Sequence, residues 1–201
     1  MKKLLTIFCF VGVVGLLVPS SAKASILFMD HFNDPTLSGW HVHASSGGVA
    51  RLSSLVPSPD GGAYLRLEAR RFSDVLIHRN IPTIGFGNIN VSGFYRTLST
   101  GENTIDRSQF VWRKTGAASW NRVNLNSPKW VFNDLTLPNT VNNGSVDIGF
   151  YVRNGNDSSL DTLKFDALQI GGQSVAPEPA SMLLLGSGLV GLVGFRRKRK
   201  I

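Results

Sequence analysis

Apolar and polar residues alternate with a period of two along the middle of the chain. Every second residue from Ala63 to Ala69 is apolar, and the same holds from Val146 to Val152. This spacing puts the apolar side chains on one face of a β-strand. Similar short runs predict further strands at 26–32, 40–43, 48–54, 73–80, 88–97, 107–114, 119–125, 130–137 and 163–170.

The predicted strands are separated by clusters of Gly, Pro, Asn, Asp and Ser, for example at 57–62, 82–87 and 139–144. Such clusters are turn signals, and helical periodicity is almost absent between them. About ten short strands at this spacing predict an all-β fold, a single antiparallel β-sandwich over residues 25–174.

The N-terminus has the three parts of a secretory signal peptide. Lys2 and Lys3 precede an apolar stretch over residues 4–18, and Ala22 and Ala24 then provide small residues two positions apart. This arrangement predicts a signal peptide at 1–24 that signal peptidase cleaves after Ala24. The alternative is an uncleaved anchor, for which 15 apolar residues are short.

A different pattern occupies residues 175–201. Residues 180–195 carry no charge and follow Pro177, Glu178 and Pro179. As a helix they would be about 24 Å long, slightly short for a bilayer core of about 30 Å. The basic cluster after them would stay cytoplasmic and leave the rest of the chain on the periplasmic side. Its members are Arg196, Arg197, Lys198, Arg199 and Lys200.

The tripeptide Pro177-Glu178-Pro179, the Gly-rich apolar segment and the Arg-rich end resemble a PEP-CTERM sorting signal. The resemblance covers about 26 residues. It implies an inner-membrane-anchored precursor that an exosortase-like enzyme processes, and then a place at the cell surface or in the extracellular matrix. It also implies a link to exopolysaccharide and biofilm in Gram-negative bacteria. The alternative is a plain single-span transmembrane anchor.

The distribution of charge and of cysteine argues against two classes of function for the body, nucleic-acid binding and thiol chemistry. The net charge is +8, but eight of the 21 basic residues lie in residues 1–24 and 196–201. Residues 25–176 have 13 basic and 12 acidic residues, so the main argument for nucleic-acid binding disappears. The single cysteine, Cys9, lies in the predicted signal peptide, which leaves the body without disulfide or thiol chemistry.

Six segments of the body, taken in their order along the chain, carry a resemblance: Asp30–Asp34, Ser38–Trp40, Gly61–Leu67, Trp120–Val123, 146–152 and 163–170. Together they resemble a β-jelly-roll of the galactose-binding or carbohydrate-binding-module type. In that type the first and last strands are neighbours and often hold a structural Ca²⁺. The resemblance thus implies a calcium site at Asp30 and Asp166, although Asn33 departs from the glutamate usual at its position.

Alternation places Asp30 and Asp166 on the same face of their strands as core residues. A lone buried charge is costly, so each needs a metal or a hydrogen-bonding partner. The alternative to calcium is that the two aspartates cap turns or accept backbone N–H groups. His41 and His43 lie on one strand face and could chelate zinc or copper, but no third ligand accompanies them, and we expect surface histidines.

Catalytic signatures are missing from the sequence. It has no G-x-S-x-G elbow, H-E-x-x-H motif or P-loop. Glu68 and Glu102 are the only glutamates of the body, and nothing in the sequence gives either a partner. Aromatic residues could instead stack on sugar rings; we expect Trp40 and Trp120 in the core and Tyr151 facing out. The other aromatic candidates are Trp112, Trp130 and Tyr95.

The sequence therefore predicts a non-catalytic component of the cell surface or matrix that binds exopolysaccharide and requires no cofactor beyond the calcium considered above. Two alternatives remain, a secreted glycan-processing enzyme and a structural matrix subunit without a small ligand.

Overall fold

The structure, a computed structural model, describes residues 24–100, 107–155, 158–175 and 187–188. Residues 1–23 of the signal peptide predicted at 1–24 lie outside these residues, and only its last residue, Ala24, is described. The Pro177–Pro179 motif, the basic tail and Glu102 lie outside them too. Of the predicted helix at 180–195, only Ser187 and Gly188 are described, and both are helical. Within the described part of the chain, no helix has the length and apolar character needed to span a bilayer.

Among the described residues of the body there are eleven strands, and one 3-10 turn at Asn139–Val141 precedes the tenth. Each strand overlaps a segment that the alternation pattern predicted. The strands are β1 (Ala24–Asp30), β2 (His41–Ala44), β3 (Gly48–Ser53), β4 (Tyr64–Ala69), β5 (Asp74–Pro82), β6 (Phe86–Thr100), β7 (Arg107–Lys114), β8 (Asn121–Asn124), β9 (Val131–Thr136), β10 (Ser145–Arg153) and β11 (Leu160–Ser174).

The strands form two antiparallel sheets. One sheet has the order β3-β4-β11-β6-β9. The long strand β11 pairs along one edge with two strands, with β4 in its first half and with β1 in its second half. The other has the order β2-β5-β10-β7-β8. The predicted all-β sandwich is confirmed, and the first and last strands are neighbours, as the resemblance implied.

The core lies between the two sheets. Val146, Ile148, Phe150 and Val152 of β10 are fully buried, as alternation predicted. The rings of Phe150 and Phe165, one from each sheet, have centroids 4.1 Å apart. Buried aromatic contacts of this kind add to the free energy gained by removing apolar area from water.

A β-bulge in β11 changes which way its side chains point. Ala167 has a φ of +50°, and the register against β6 shifts between Asp166 and Gln169. Phe165 and Leu168 both belong to the core. Because the extra residue of a bulge resets the alternation, Asp166 lies on the outer face of the six-stranded sheet. Our placement of Asp166 on the face of Leu168 was therefore wrong.

Candidate functional site

The outer face of the five-stranded sheet carries a group of rings and hydrogen-bonding side chains. Ile77 of β5, Ile148 of β10 and Trp112 of β7 are buried in the core. Their sequence neighbours therefore point to the opposite side of the sheet. We call this surface the ring face; its central residues are His41, His43, His78, Asn80, Arg113, Trp120 and Asp147.

Three histidines meet on the ring face. His41 pairs with His78 across β2 and β5, and their rings stack with centroids 5.2 Å apart. His43 lies on the other side of His78, at 5.3 Å between centroids, and the two Nε2 atoms are 3.3 Å apart. Burial lowers the pKa of His78; Asp147 opposes this, and the other two histidines reinforce it. The lowered pKa keeps the His78 ring neutral at neutral pH.

Trp120 extends this surface. Its ring packs edge-on against His78, with centroids 5.4 Å apart, and the guanidinium of Arg113 lies 4.4 Å from its centroid. Our expectation of a core position was wrong for Trp120, because this residue precedes β8 and lies over the outer side of the sheet. Trp40 does lie in the core, as expected.

A hydrogen-bonded row runs next to the rings. Nε of Arg113 donates to Oδ2 of Asp147 at 2.9 Å, and Nδ2 of Asn80 and Oγ1 of Thr115 donate to Oδ1 at 2.9 and 3.1 Å. Burial alone would raise the pKa of Asp147, but these three bonds and the charge of Arg113 lower it. Asp147 is therefore a fixed carboxylate beside an aromatic surface.

The centre of the ring face is closely packed. Gly149 lies opposite His78, and a Cβ on Gly149 would come within 2.9 Å of the Cβ of His78. Two buried polar atoms, Nδ1 of His78 and Oε1 of Gln109, have no hydrogen-bond partner among the described residues. Beside this packed centre, a depression of about 500 Å³ is lined in part by His43, Asp74 and Tyr151. A depression with these polar and aromatic side chains in its lining suits a hydroxyl-rich ligand.

Of the remaining aromatic candidates, only Tyr151 lies on the outer side of the five-stranded sheet. Tyr151 faces out, as expected, and its hydroxyl donates to Asp74. Trp112 belongs to the core, and Tyr95 is partly buried against that core. Trp130 packs edge-on against Tyr64 on the six-stranded sheet.

Asp30 has hydrogen-bond donors at both of its oxygens. The backbone N–H of Phe32 donates to Oδ1 at 2.7 Å, and Nε1 of Trp40 donates to Oδ2 at 2.9 Å. The first bond helps to hold Phe32 at a φ of +55°. This is the backbone-capping arrangement that the sequence left open as the alternative to calcium.

Asp166 is fully buried, and its neighbouring carboxylate is Asp60, which the sequence analysis did not single out. Burial, followed by the hydrogen bond and the charge of Asp60, raises the pKa of Asp166 to about 6. Burial also acts to raise the pKa of Asp60, but bonds from Gly62, His31, Ser58 and Asp166 lower it on balance. Asp60 comes from the loop between β3 and β4, so no spacing in the sequence predicted this pair.

No group of three or more His, Cys, Asp or Glu side chains suited to a metal occurs among residues 24–100, 107–155 and 158–175. Two adjacent carboxylates, Asp60 and Asp166, offer the hard oxygen ligands that Ca²⁺ prefers. The calcium site at Asp30 and Asp166 stays a prediction. Asp60, which contacts Asp166, is a further carboxylate that could bind the ion there. No partner of Glu68 could be identified from the sequence, and the structure supplies two: Glu68 forms ion pairs with Arg51 and Arg66.

Comparison with protein-family models finds one match, the PEP-CTERM protein-sorting motif, at residues 175–199. That motif implies an exported, membrane-anchored precursor, sorted to the cell surface and processed by an exosortase-like enzyme. A search of curated proteins finds no match.

Solved structures share the fold of the body. A carbohydrate-binding module of the β-sandwich superfamily, described as having promiscuous specificity, aligns with a TM-score of 0.54 and 18% identity, over 75% of this chain and 63% of the other. TmCBM61, in complex with β-1,4-galactotriose, aligns at 0.50 and 11%, over 70% and 92%. The xylan-binding CBM22-1 domain of Xyn10C from Paenibacillus barcinonensis aligns at 0.50 and 16%, over 78% and 100%. The chain therefore carries a PEP-CTERM sorting motif behind a β-sandwich with the fold of carbohydrate-binding modules.

Proposed function

We propose that this chain is an exported, non-catalytic protein that binds exopolysaccharide at the cell surface through the ring face. The observation that carries the proposal is the continuous ring surface of His41, His78 and Trp120 beside the fixed carboxylate of Asp147. The Trp120 ring and the exposed His41 ring can stack on the apolar faces of sugars, and Asn80, which Asp147 holds in place, can exchange hydrogen bonds with hydroxyl groups.

Two findings from outside the ring face support this proposal. The fold is one that carbohydrate-binding modules use, although fold alone does not give a ligand. The sorting motif implies delivery to the cell surface, where exopolysaccharide is present.

The test is binding of the purified full-length protein to the exopolysaccharide of its own organism, measured by isothermal titration. We expect saturable binding that Trp120→Ala weakens by about tenfold or more, because one stacked ring contributes roughly 1–3 kcal/mol. Phe132→Ala is the matched control, since Phe132 is an exposed aromatic residue on the other sheet. Equal binding by the wild type and Trp120→Ala would contradict the ring face as the site.

The same assay separates the two alternatives. Release of new reducing ends from the polysaccharide, abolished by Asp147→Asn, would indicate a glycan-processing enzyme. Absence of saturable binding together with self-assembly of the purified protein would indicate a structural matrix subunit.

A further inference from the structure

Four basic residues lie side by side on the outer face of the six-stranded sheet. Arg51 of β3 pairs with Arg66 of β4, Arg66 pairs with Lys164 of β11, and Lys164 pairs with Arg96 of β6. Residues directly opposite each other in antiparallel strands point to the same side. We call these four residues the cationic row; across three strand spacings it extends about 14 Å.

The cationic row has more positive charge than its partners neutralise. Glu68 forms ion pairs with both Arg51 and Arg66. The other two cations use neutral partners: the ammonium of Lys164 lies 5.2 Å from the centroid of the Tyr64 ring, and Nε of Arg96 donates to the carbonyl of Pro128 at 2.8 Å. Like charges directly opposite each other in a sheet are destabilising.

Two features of the row show that its positive charge is poorly compensated. Lys164 is only 4% exposed, and burial, helped by the charges of Arg96 and Arg66, lowers its pKa even though Tyr64 opposes the shift. Nε of Arg66 is buried and has no hydrogen-bond partner among the described residues, while its Nη2 pairs with Glu68. Glu68 is thus shared by two guanidinium groups. A carboxylate bound at the exposed Arg51 end of the row would add favourable electrostatic energy.

An aromatic residue stands beside the row. Trp130 packs edge-on against Tyr64, with centroids 5.7 Å apart, and its Nε1 donates to the carbonyl of Pro57 at 3.1 Å. The Tyr64 ring in turn lies under Lys164. A ring next to cations fits a ligand with both a flat apolar surface and a negative charge, which describes an acidic sugar better than a bare phosphate.

We propose that the cationic row binds the carboxylate groups of an acidic polysaccharide. The inference takes its ligand class, glycan, from the proposed function but places the contact on the opposite sheet. Arg51 and Arg66 supply planar donors suited to a carboxylate, and Lys164 supplies a point charge. A protein that has both the ring face and the cationic row can contact glycan on each side of the sandwich and so join two polysaccharide chains.

The test uses purified full-length protein and polygalacturonate, compared with the fully methyl-esterified, uncharged polymer, by isothermal titration. We expect binding to polygalacturonate alone, and an affinity that falls as salt rises. Arg51→Gln removes an exposed member of the row and should weaken binding by about tenfold. Lys164→Met should weaken it similarly without lowering the melting temperature, because an apolar side chain of similar length replaces a buried charge.

Matched controls make each outcome decisive. Arg122→Gln removes an exposed cation of β8, on the other sheet, and should leave binding to polygalacturonate unchanged. Equal binding to the esterified polymer, or equal weakening by Arg122→Gln, would overturn the inference. So would equally tight binding to duplex DNA, which would indicate an unselective polyanion surface. If Trp120→Ala abolishes the binding while Arg51→Gln does not, the ligand belongs to the ring face, and the proposed function stands without the cationic row.

Discussion

Individual residues in this fold depend on partners that are distant in the sequence. Asp166 contacts Asp60 across 106 positions, and His78 contacts His43 across 35. Alternation identified the core positions of β4 and β10, because that property depends on the strand alone. It could not identify these pairs, since they are created by the arrangement of strands and loops.

The raised pKa of Asp166 gives stability a defined pH dependence. The unfolded value is 3.8 and the folded value is about 6, so the folded state binds more protons between these pH values. Stability from this group is therefore lost as pH rises from about 4 to 6, by on the order of 2–3 kcal/mol. In EDTA, we expect Asp166→Asn to be more stable than the wild type at pH 7 and similar to it near pH 4, as measured by urea unfolding.

Asp34→Asn is the control for that measurement. Asp34 is exposed and accepts hydrogen bonds from the nearby Thr36, so the substitution should leave the pH profile unchanged. Parallel profiles for the wild type and Asp166→Asn would show that burial of Asp166 does not set the pH dependence.

Calcium should act on the same pair of carboxylates. We expect Ca²⁺ to raise the melting temperature of the protein by several degrees, because it would neutralise the repulsion between Asp60 and Asp166. Asp166→Ala should abolish this effect. A melting curve that is the same in Ca²⁺ and in EDTA would count against the predicted site.

At the scale of elements, strand positions followed from the sequence, and the order of strands in the sheets did not. Turn residues and alternation are local signals, whereas the placement of β11 between β6 and β4 depends on long-range pairing. The bulge at Ala167 was also missed, because Ala has no special preference for a positive φ. That one residue decided on which face Asp166 lies.

The close contact between β6 and β11 requires a glycine at position 93. A Cβ on Gly93 would lie 2.5 Å from Cε1 of Phe165 and 3.0 Å from the carbonyl oxygen of Asp166. Gly93→Ala should therefore destabilise the protein by about 1–3 kcal/mol, since a packed core has no room for it. The measurement is the urea midpoint. Gly144→Ala is the control, because the atom nearest to its new Cβ is 3.9 Å away; an equal loss in both variants would refute the steric argument.

At the scale of the whole molecule, the sorting motif followed from the sequence, while the candidate binding surfaces required the structure. The sorting motif is a contiguous pattern of residues 175–199, so the sequence alone could reveal it. The ring face and the cationic row each combine residues from three or more strands, and no linear motif records them.

Processing of the tail can be tested apart from export. Replacing Pro177, Glu178 and Pro179 by alanines should leave export intact and block removal of the tail, because proline disfavours helix and an exosortase-like enzyme would need an extended substrate. Intact mass and cell fractionation, in hosts with and without an exosortase, measure this. Normal processing of the variant would refute the sorting role of the tripeptide.

The position of β11 also has a mechanical consequence. The sorting motif continues directly from this strand, which is hydrogen-bonded to β6 on one side and to β4 and β1 on the other. If the C-terminal end is attached to the cell surface and the body binds a glycan, tension between them would therefore act on β11, a central strand, rather than on an edge strand. Many inter-strand hydrogen bonds would then resist in shear together, so the protein should withstand drag on the matrix better than one tethered through an edge strand.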